Sequence, residues 1–388
     1  MTPGARIAAA IEILETMNDG LAGEQALTRW ARRSRFAGSK DRAAIRDHVF
    51  DVLRRRNEAI FLGKGTTGRA LMLGLLRAQG TDPATLFTGE GHAPSPLTDA
   101  ETAIPEPASD TATQWNLPPW LIDQFRISLG EDAERTALAL QDRAPVGLRV
   151  NIAKIPVQSA ARALDEEGIK TAQNPLCETA LSVTEGARKI RNSKAFSDGL
   201  VELQDAASQA VVAALPSGGK VLDYCAGGGG KSLALAMDPT RVVLAHDVDP
   251  ARMRDLSPRA KRAGAVITQI STGALSNARF DTVLCDAPCS GSGAWRRAPE
   301  GKWTLTKDRL TELCAIQDDI LIHAAGLVRP GGVLAYATCS VLRAENEDRI
   351  AAFTKNNPSW KLSFSQRFSI DDHGDGFFTA HLTREIIA

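Results

Sequence analysis

Two cysteines stand in matching surroundings, in DAPCSGSG (286–293) and in YATCSVL (336–342). Each follows an apolar run, the pattern of a thiol just past the carboxyl end of a parallel strand, on the rim where α/β sheets bind their ligands. A thiol in that position is available for nucleophilic chemistry. Cys285, within one of the runs, and Cys314, in LTELCAIQDDILIHAA, have instead the neighbours of buried and inert residues. A third stretch, VLDYCAGGGGKS (221–232), ends an apolar run in Asp223 and continues with four glycines, Lys231 and Ser232. Glycines in such a place let backbone approach a ligand closely.

Three kinds of ligand compete for that loop. A nucleoside triphosphate needs Gly-x-x-x-x-Gly-Lys-[Ser/Thr], and the first required glycine falls on Cys225, so the phosphate loop fails by one residue. Its companion is present in appearance, since TVLCD (282–286) looks like the strand that ends in a magnesium-binding Asp. A dinucleotide fingerprint is matched only trivially by a bare run of glycines. A nucleoside carrying a sulfonium, as in S-adenosylmethionine, suits the spacing better: Asp223 closes one strand, and Asp247 closes the next, where a carboxylate can accept both ribose hydroxyls.

With a methyl sulfonium nearby, two rim thiols have a use. Carbon-5 of cytosine is a poor nucleophile, and a thiolate adding at carbon-6 converts the ring into an enamine that can attack a methyl group. Asp286 beside the site can hydrogen-bond the N3/N4 edge of the base while charge builds on the ring. The carbon-5 proton must then leave and the thiol be expelled, steps that a second thiol or a nearby base can assist. Zinc is not expected: the six histidines, at 48, 92, 246, 323, 373 and 381, form no ligand-spaced cluster with Cys289 or Cys339.

The elements that must position these residues follow from periodicity. From Gly199 onward the pattern is β-α alternation, with strands expected at 220–224, 241–247, 265–270, 281–286 and 332–338, which predicts a doubly wound, mostly parallel sheet. Before it, residues 116–198 read as a small α+β domain: helices in LPPWLIDQFRISLG and EDAERTALALQDRA, a strand in VGLRVNIAKI, the helix VQSAARALDEEG and short strands near 181–183. Residues 1–80 carry apolar positions at helical spacing and read as an all-helical domain, and 81–115 as a Pro- and Gly-rich linker.

Charge is balanced, 46 basic against 46 acidic side chains, so net charge argues for no polyanionic partner. Its distribution does: residues 29–56 hold ten basic and three acidic side chains. Local charge is what a polyanion senses within a Debye length of about 8 Å. The amphipathic N-terminus lacks the apolar core of a signal peptide or membrane span, and six scattered cysteines without a Cys-x-x-Cys pair suit a reducing compartment. The expectation is a soluble, cytoplasmic protein without a membrane partner.

With DYCAGGGGKS, DAPCSGSG and ATCS in this order, the sequence resembles the RsmB/Sun (Nop/Sun) family of S-adenosylmethionine-dependent RNA cytosine-C5 methyltransferases. LQDAASQ (203–209), WRRAPEGKW (295–303), RPGGVLAYATCS (329–340) with ENE (345–347), and DGFFTAHL (375–382) support it. The resemblance implies a Rossmann-like class I methyltransferase domain at 199–388, with 116–198 similar to the RRM-like domain and 1–80 to the NusB-like helical domain of bacterial members. It implies Cys339 as nucleophile and Cys289 as the thiol that assists product release, with Asp286 between cofactor and base and Lys231 facing the base. DNA cytosine methyltransferases use the Pro-Cys thiol instead, so the presence of both cysteines discriminates.

For the cofactor, the resemblance implies Asp223, the loop Cys225, Ala226, Gly227, Gly228, Gly229, Gly230 and Lys231, the ribose carboxylate Asp247 with Val248, and Asp286. Two departures stand out. The family loop usually reads Ala-Pro-Gly-Gly-Lys, and losing the proline is expected to loosen the loop and weaken binding. An Asp on the adenine side is missing, so Ser271 or Thr272 in QISTGAL would substitute. The expected function is RNA (cytosine-5)-methylation by a monomer, on ribosomal RNA foremost and transfer RNA second. The competing reading is an RNA-binding or ribosome-assembly protein whose methyltransferase-like core has little or no turnover.

Overall fold

The structure, a computed structural model, describes residues 1–106, 108–276 and 278–384. Its contacts divide the chain into two compact units: residues 1–126, 130–143 and 295–304, and residues 127–129, 144–294 and 305–388.

The first unit is built on α1 (Pro3–Asn18), α2 (Gly23–Arg33), α3 (Ser39–Arg54), α4 (Arg56–Gly63) and α5 (Gly68–Ala78). The helical spacing read from the sequence puts Ile7, Ile13, Leu14, Trp30, Ile45, Val49, Met72 and Leu75 in its core. Helices α4 and α5 approach so closely that a Cβ on Gly74 would lie 1.9 Å from the carbonyl oxygen of Ala59. The basic stretch is not a uniform solvated face. Arg54 is buried and donates to Asp51 and to the Arg296 carbonyl, and Arg46 pairs with Glu24. Arg29 and Arg32 of α2 remain exposed.

Residues 295–304 group with this helical unit, although they lie between strands of the other one in sequence. Their polar atoms finish its helices: Glu300 accepts the Gly23 N–H at the start of α2, while Lys302 Nζ and Trp303 Nε1 donate to the Arg54 and Leu53 carbonyls at the end of α3, at 2.7 and 2.6 Å. Such carbonyls have no partner within their own helix.

The second unit holds two sheets. The smaller is antiparallel, made from β1 (Val146–Val150), β2 (Lys170–Gln173), β3 (Ala180–Glu185) and β4 (Val201–Leu203) in the order β2-β3-β1-β4, with α6 (Val157–Glu166) after β1. The larger has seven strands: β5 (Gly219–Asp223), β6 (Arg241–Ala245), β7 (Ile267–Gln269), β8 (Phe280–Asp286), β9 (Val328–Thr338), β10 (Trp360–Phe368) and β11 (Phe377–Arg384). Their order is β10-β11-β9-β8-β5-β6-β7, with β5 to β9 parallel and β11 antiparallel to both its neighbours, β9 and β10.

This is the doubly wound, mostly parallel sheet expected from the β-α alternation. The five expected strands are present, with β6 two residues shorter at its carboxyl end and β7 shorter at both ends than expected. Strands β10 and β11 were not anticipated: β10 is mostly exposed and rich in Lys, Ser, Gln and Arg, so its face toward the core leaves little trace in hydropathy. Among the described residues no helix is long and apolar enough to cross a membrane.

Lys302 provides a test of the helical unit. It is fully buried, and burial, followed by the charges of Arg54 and Arg55, lowers its pKa to about 7. The unfolded chain therefore binds more protons than the folded one between pH 7 and the ordinary lysine value of about 10.4, and stability should rise with pH across that window. Thermal denaturation of the whole protein should show this rise, flattened in Lys302→Met relative to the unmodified chain.

Candidate active site

Strand order reverses between β5 and β8: β6 and β7 extend one way from β5, and β9 the other from β8. Ligands of such sheets bind at this switch point, beyond the carboxyl ends of the strands. Asp223 ends β5 and Asp286 ends β8. In register, Asp286 lies opposite Ala337 of β9, so the chains carrying Cys289 and Cys339 leave the sheet side by side. Their sulfurs are 3.5 Å apart.

The glycine loop leads from β5 into the short helix α7 (Gly230–Leu235), which brings Lys231 back under the rim. Lys231 is 7% exposed, and its Nζ lies 2.7 Å from Asp286 Oδ2 and over the ring of Phe377. Burial opposes its charge, but Asp286, then the Cys339 thiol and Asp223, outweigh that cost and raise its pKa. Among the described residues Asp223 has no ion-pair partner. Its Oδ2 accepts from Ser232 Oγ at 2.6 Å, while Oδ1 is buried without a partner. Burial raises its pKa to about 7, the Ser232 hydrogen bond working against the shift and the Asp286 charge adding to it.

The loop is held from several sides. Asp247 Oδ2 accepts the Gly227 N–H at 2.9 Å, the His246 carbonyl accepts the Ala226 N–H, and Arg259 donates to the Gly228 carbonyl. Gly229 has a φ of 80°, and a Cβ there would lie 2.2 Å from Leu256 Cδ1. The absence of proline at Gly228 is thus accompanied by anchors on both sides of that residue. Cys225 is partly buried, and burial, then the neighbouring carboxylates, push its thiol well above the ordinary range. It is a wall of the loop and not a nucleophile.

The rim thiols differ from each other. Cys289 is pushed well up, first because it hydrogen-bonds Cys339, then by burial and by the charges of Cys339 and Glu345. Cys285 is buried, as its position in the strand predicted. Cys314 is only partly buried, with its sulfur 3.4 Å from the Ala344 carbonyl, because its helix (Lys307–Ala325) lies against the turn that follows Cys339.

Two residues that hold the site escaped the sequence reading. His246 is buried and stacked on Tyr224, with Nδ1 2.8 Å from the Tyr224 carbonyl and Nε2 2.9 Å from Thr272 Oγ1. A carbonyl can only accept, so Nδ1 carries a proton. Thr272 is thereby engaged, while Ser271 stays exposed. Glu345, noticed only as part of ENE, is fully buried beneath both thiol loops. Its signal was its place six residues after Cys339, in a turn that hydropathy marks as surface.

The described residues contain no group of three or more His, Cys, Asp or Glu placed to hold a metal ion. They do offer a nucleoside cofactor with a cationic end an unpartnered buried carboxylate, a glycine cradle and a second carboxylate at the end of β6.

Comparison with known proteins is consistent with this geometry. A model of the 16S rRNA methyltransferase RsmB/F family matches residues 210–383, and one of the ferredoxin-like domain of RsmF/B-like methyltransferases matches 117–189. The ribosomal RNA small subunit methyltransferase B of Salmonella typhi is 34% identical over 286 residues, covering 69% of this chain. The chain belongs to the RsmB/F methyltransferase family. It spans 66% of the length of that curated relative. A methyltransferase homologue from Pyrococcus horikoshii has a crystal structure 28% identical, with a TM-score of 0.61, covering 71% of this chain and 97% of its own. The crystal structure of PH0851, 24% identical, shares the fold over 99% of both chains with a TM-score of 0.79.

The loop geometry gives a paired expectation. Gly229→Ala should cost about 1–3 kcal/mol for its left-handed backbone and its clash with Leu256. Gly228→Ala should be nearly neutral, since a Cβ there meets only the movable guanidinium of Arg259, at 3.3 Å. Chemical denaturation of the two variants measures the difference.

Proposed function

We propose that this chain is an S-adenosylmethionine-dependent RNA (cytosine-5)-methyltransferase acting on small-subunit ribosomal RNA. The observation that carries the reading is the pair of thiols 3.5 Å apart beside the Lys231–Asp286 ion pair. The names of the curated relatives support the RNA class. The same proposal takes residues 1–80 as a NusB-like domain with an RNA-binding role, 81–115 as a linker, 116–198 as the RRM-like domain and 199–388 as the catalytic domain. It also takes the protein to be a cytoplasmic monomer without a metal.

Bound S-adenosylmethionine would supply an electrophilic methyl group. Asp223, residues 225–231 and Asp247 would hold it, with Val248, an 82% exposed apolar residue next to Asp247, and Ser271 on the adenine side. Cys339, as the thiolate, adds to cytosine carbon-6 and makes carbon-5 nucleophilic. Asp286 holds the N3/N4 edge of the base, and Lys231 keeps Asp286 in place. After transfer the carbon-5 proton passes to a base, the carbon–sulfur bond breaks, and Cys339 returns as thiolate with Cys289 beside it to assist. The cytosine must be unpaired or flipped out, because carbon-6 is reached from the ring face.

In a transfer assay with labelled cofactor and RNA, Cys339→Ala should lose activity altogether, whereas Cys289→Ala should accumulate a covalent protein–RNA adduct. Activity retained in Cys339→Ala and lost in Cys289→Ala would reverse the two roles.

Asp223 adds a pH signature. Its raised pKa means that the free folded protein holds a proton that the unfolded chain has lost, so this group lowers stability as pH rises from about 4 to about 7. A cationic ligand needs the ionised form, so affinity for S-adenosylmethionine should increase as pH rises through 7. Calorimetry should show that increase in the unmodified protein and a flatter profile in Asp223→Asn.

A further inference from the structure

Glu345 is a fully buried carboxylate with no ion-pair partner among the described residues. Its Oε1 accepts the backbone N–H of Ser290 at 2.8 Å and Gln317 Nε2 at 3.2 Å, and its Oε2 accepts the hydroxyls of Ser290 and Ser340. Ser290 follows Cys289 and Ser340 follows Cys339, so one carboxylate gathers the residue after each thiol. The direction of these bonds is set by their surroundings. Ser340 Oγ accepts from the Leu342 N–H at 3.0 Å, and Ser292 Oγ, which accepts from the Val341 N–H at 2.9 Å, donates to Ser340 Oγ at 2.9 Å. The Ser340 proton is therefore left for Glu345. A ring of donors of this kind fits an ionised carboxylate.

The turn that carries Glu345 is itself locked. Tyr336 Oη donates to the Glu345 carbonyl at 2.7 Å, and Asn346 Nδ2 donates to the Ser340 carbonyl at 2.9 Å. The carboxylate thus has little freedom to leave the thiols.

The charges around the two sulfurs are unequal. Glu345 makes two hydrogen bonds to Ser290 against one to Ser340, and Gln317, which donates to it, also donates to the Pro288 carbonyl at 2.9 Å, so the carboxylate belongs more to the Cys289 loop. Cys289 is raised by its hydrogen bond to Cys339, by burial and by the charges of Cys339 and Glu345. On the other flank Lys231 interacts with Cys339 and is paired with Asp286, while Asp223 lies deeper on the same side. Tyr336 is also near Cys289; burial pushes it well above its ordinary range, so it stays neutral. In a low-dielectric pocket such an arrangement separates two otherwise equivalent thiols.

We propose that Glu345 is a positioning residue that holds the two thiol loops in register and, as a carboxylate tied mainly to the Cys289 loop, makes Cys289 the poorer nucleophile of the pair, so that Cys339 is the one that reacts. The inference rests on the proposed function only in taking these thiols as the reacting pair. It gives a physical reason for two adjacent thiols to have different roles, which neither motif provides by itself.

The test uses the full-length protein without RNA or cofactor. Limited alkylation with iodoacetamide at pH 8, followed by digestion and mass spectrometry, gives the ratio of modification at Cys339 to that at Cys289. The unmodified protein should alkylate Cys339 preferentially. Glu345→Gln, which keeps the size and removes the charge, should lower the ratio about tenfold, the equivalent of one pKa unit between the thiols. Glu345→Asp, which keeps the charge, should recover most of it. Should the Gln variant fail to fold, as judged by near-ultraviolet circular dichroism, Ser290→Ala loosens the same tie and should lower the ratio in the same direction.

A folded Glu345→Gln with an unchanged ratio would overturn the proposal, as would equal loss in the Asp variant. Because the readout needs no substrate, it stands apart from the proposed function. A lowered ratio without methyl transfer in the unmodified protein contradicts only the function, and normal transfer with an unchanged ratio contradicts only the role of Glu345.

Discussion

The site depends on one ion pair, the buried Lys231 Nζ against Asp286 Oδ2 at 2.7 Å, with the Asp286 side chain 32% exposed. The charges that act on Lys231 are those of Asp286 first, then Cys339 and Asp223. Removing Asp286 would strand a buried ammonium. The pair therefore fixes α7 against the end of β8, and with it the loop that α7 terminates. Burial, with the Asp286 charge adding to it and the Ser232 hydrogen bond and Lys231 opposing it, raises the pKa of Asp223 to about 7, so a cationic ligand there would relieve the site.

From that constraint the two halves of the chemistry divide along the sheet. On the β5–β6 side the glycine loop, Asp247 and His246 form a cradle whose hydrogen bonds come from its own backbone, so it exists before any ligand arrives. On the β8–β9 side the two thiol loops cross close together, tied through Glu345 and through Gly293, whose N–H donates to the Cys339 carbonyl at 2.9 Å. Close approach leaves no space for a side chain: a Cβ on Gly293 would lie 1.9 Å from the Gly376 carbonyl oxygen. That contact gives the C-terminal DGFF stretch a part in the site, since Gly376 precedes the Phe377 ring over which Lys231 sits.

Much of this was legible in the sequence because the parallel strands are short apolar runs that end in the functional residue itself: Asp223, Asp286 and, one residue on, Cys339. Where a strand faces solvent, as β10 does, that signal disappears. Polar residues that work by being buried were also hidden. Glu345 and His246 read as ordinary turn residues, and only the fold shows that the donors around them come from segments distant in sequence. Residues 295–304 fall between β8 and β9 in sequence, yet Lys302 and Trp303 cap α3, a role no local pattern can announce.

The central claim is that Cys339 is the residue that bonds the pyrimidine. Incubating the unmodified protein with S-adenosylmethionine and target RNA containing 5-fluorocytidine blocks the loss of a carbon-5 proton and so arrests the covalent complex. Mass spectrometry of the digested complex should find the nucleotide on the peptide containing Cys339. A nucleotide on Cys289, or no covalent complex with RNA that the protein binds, would contradict the account.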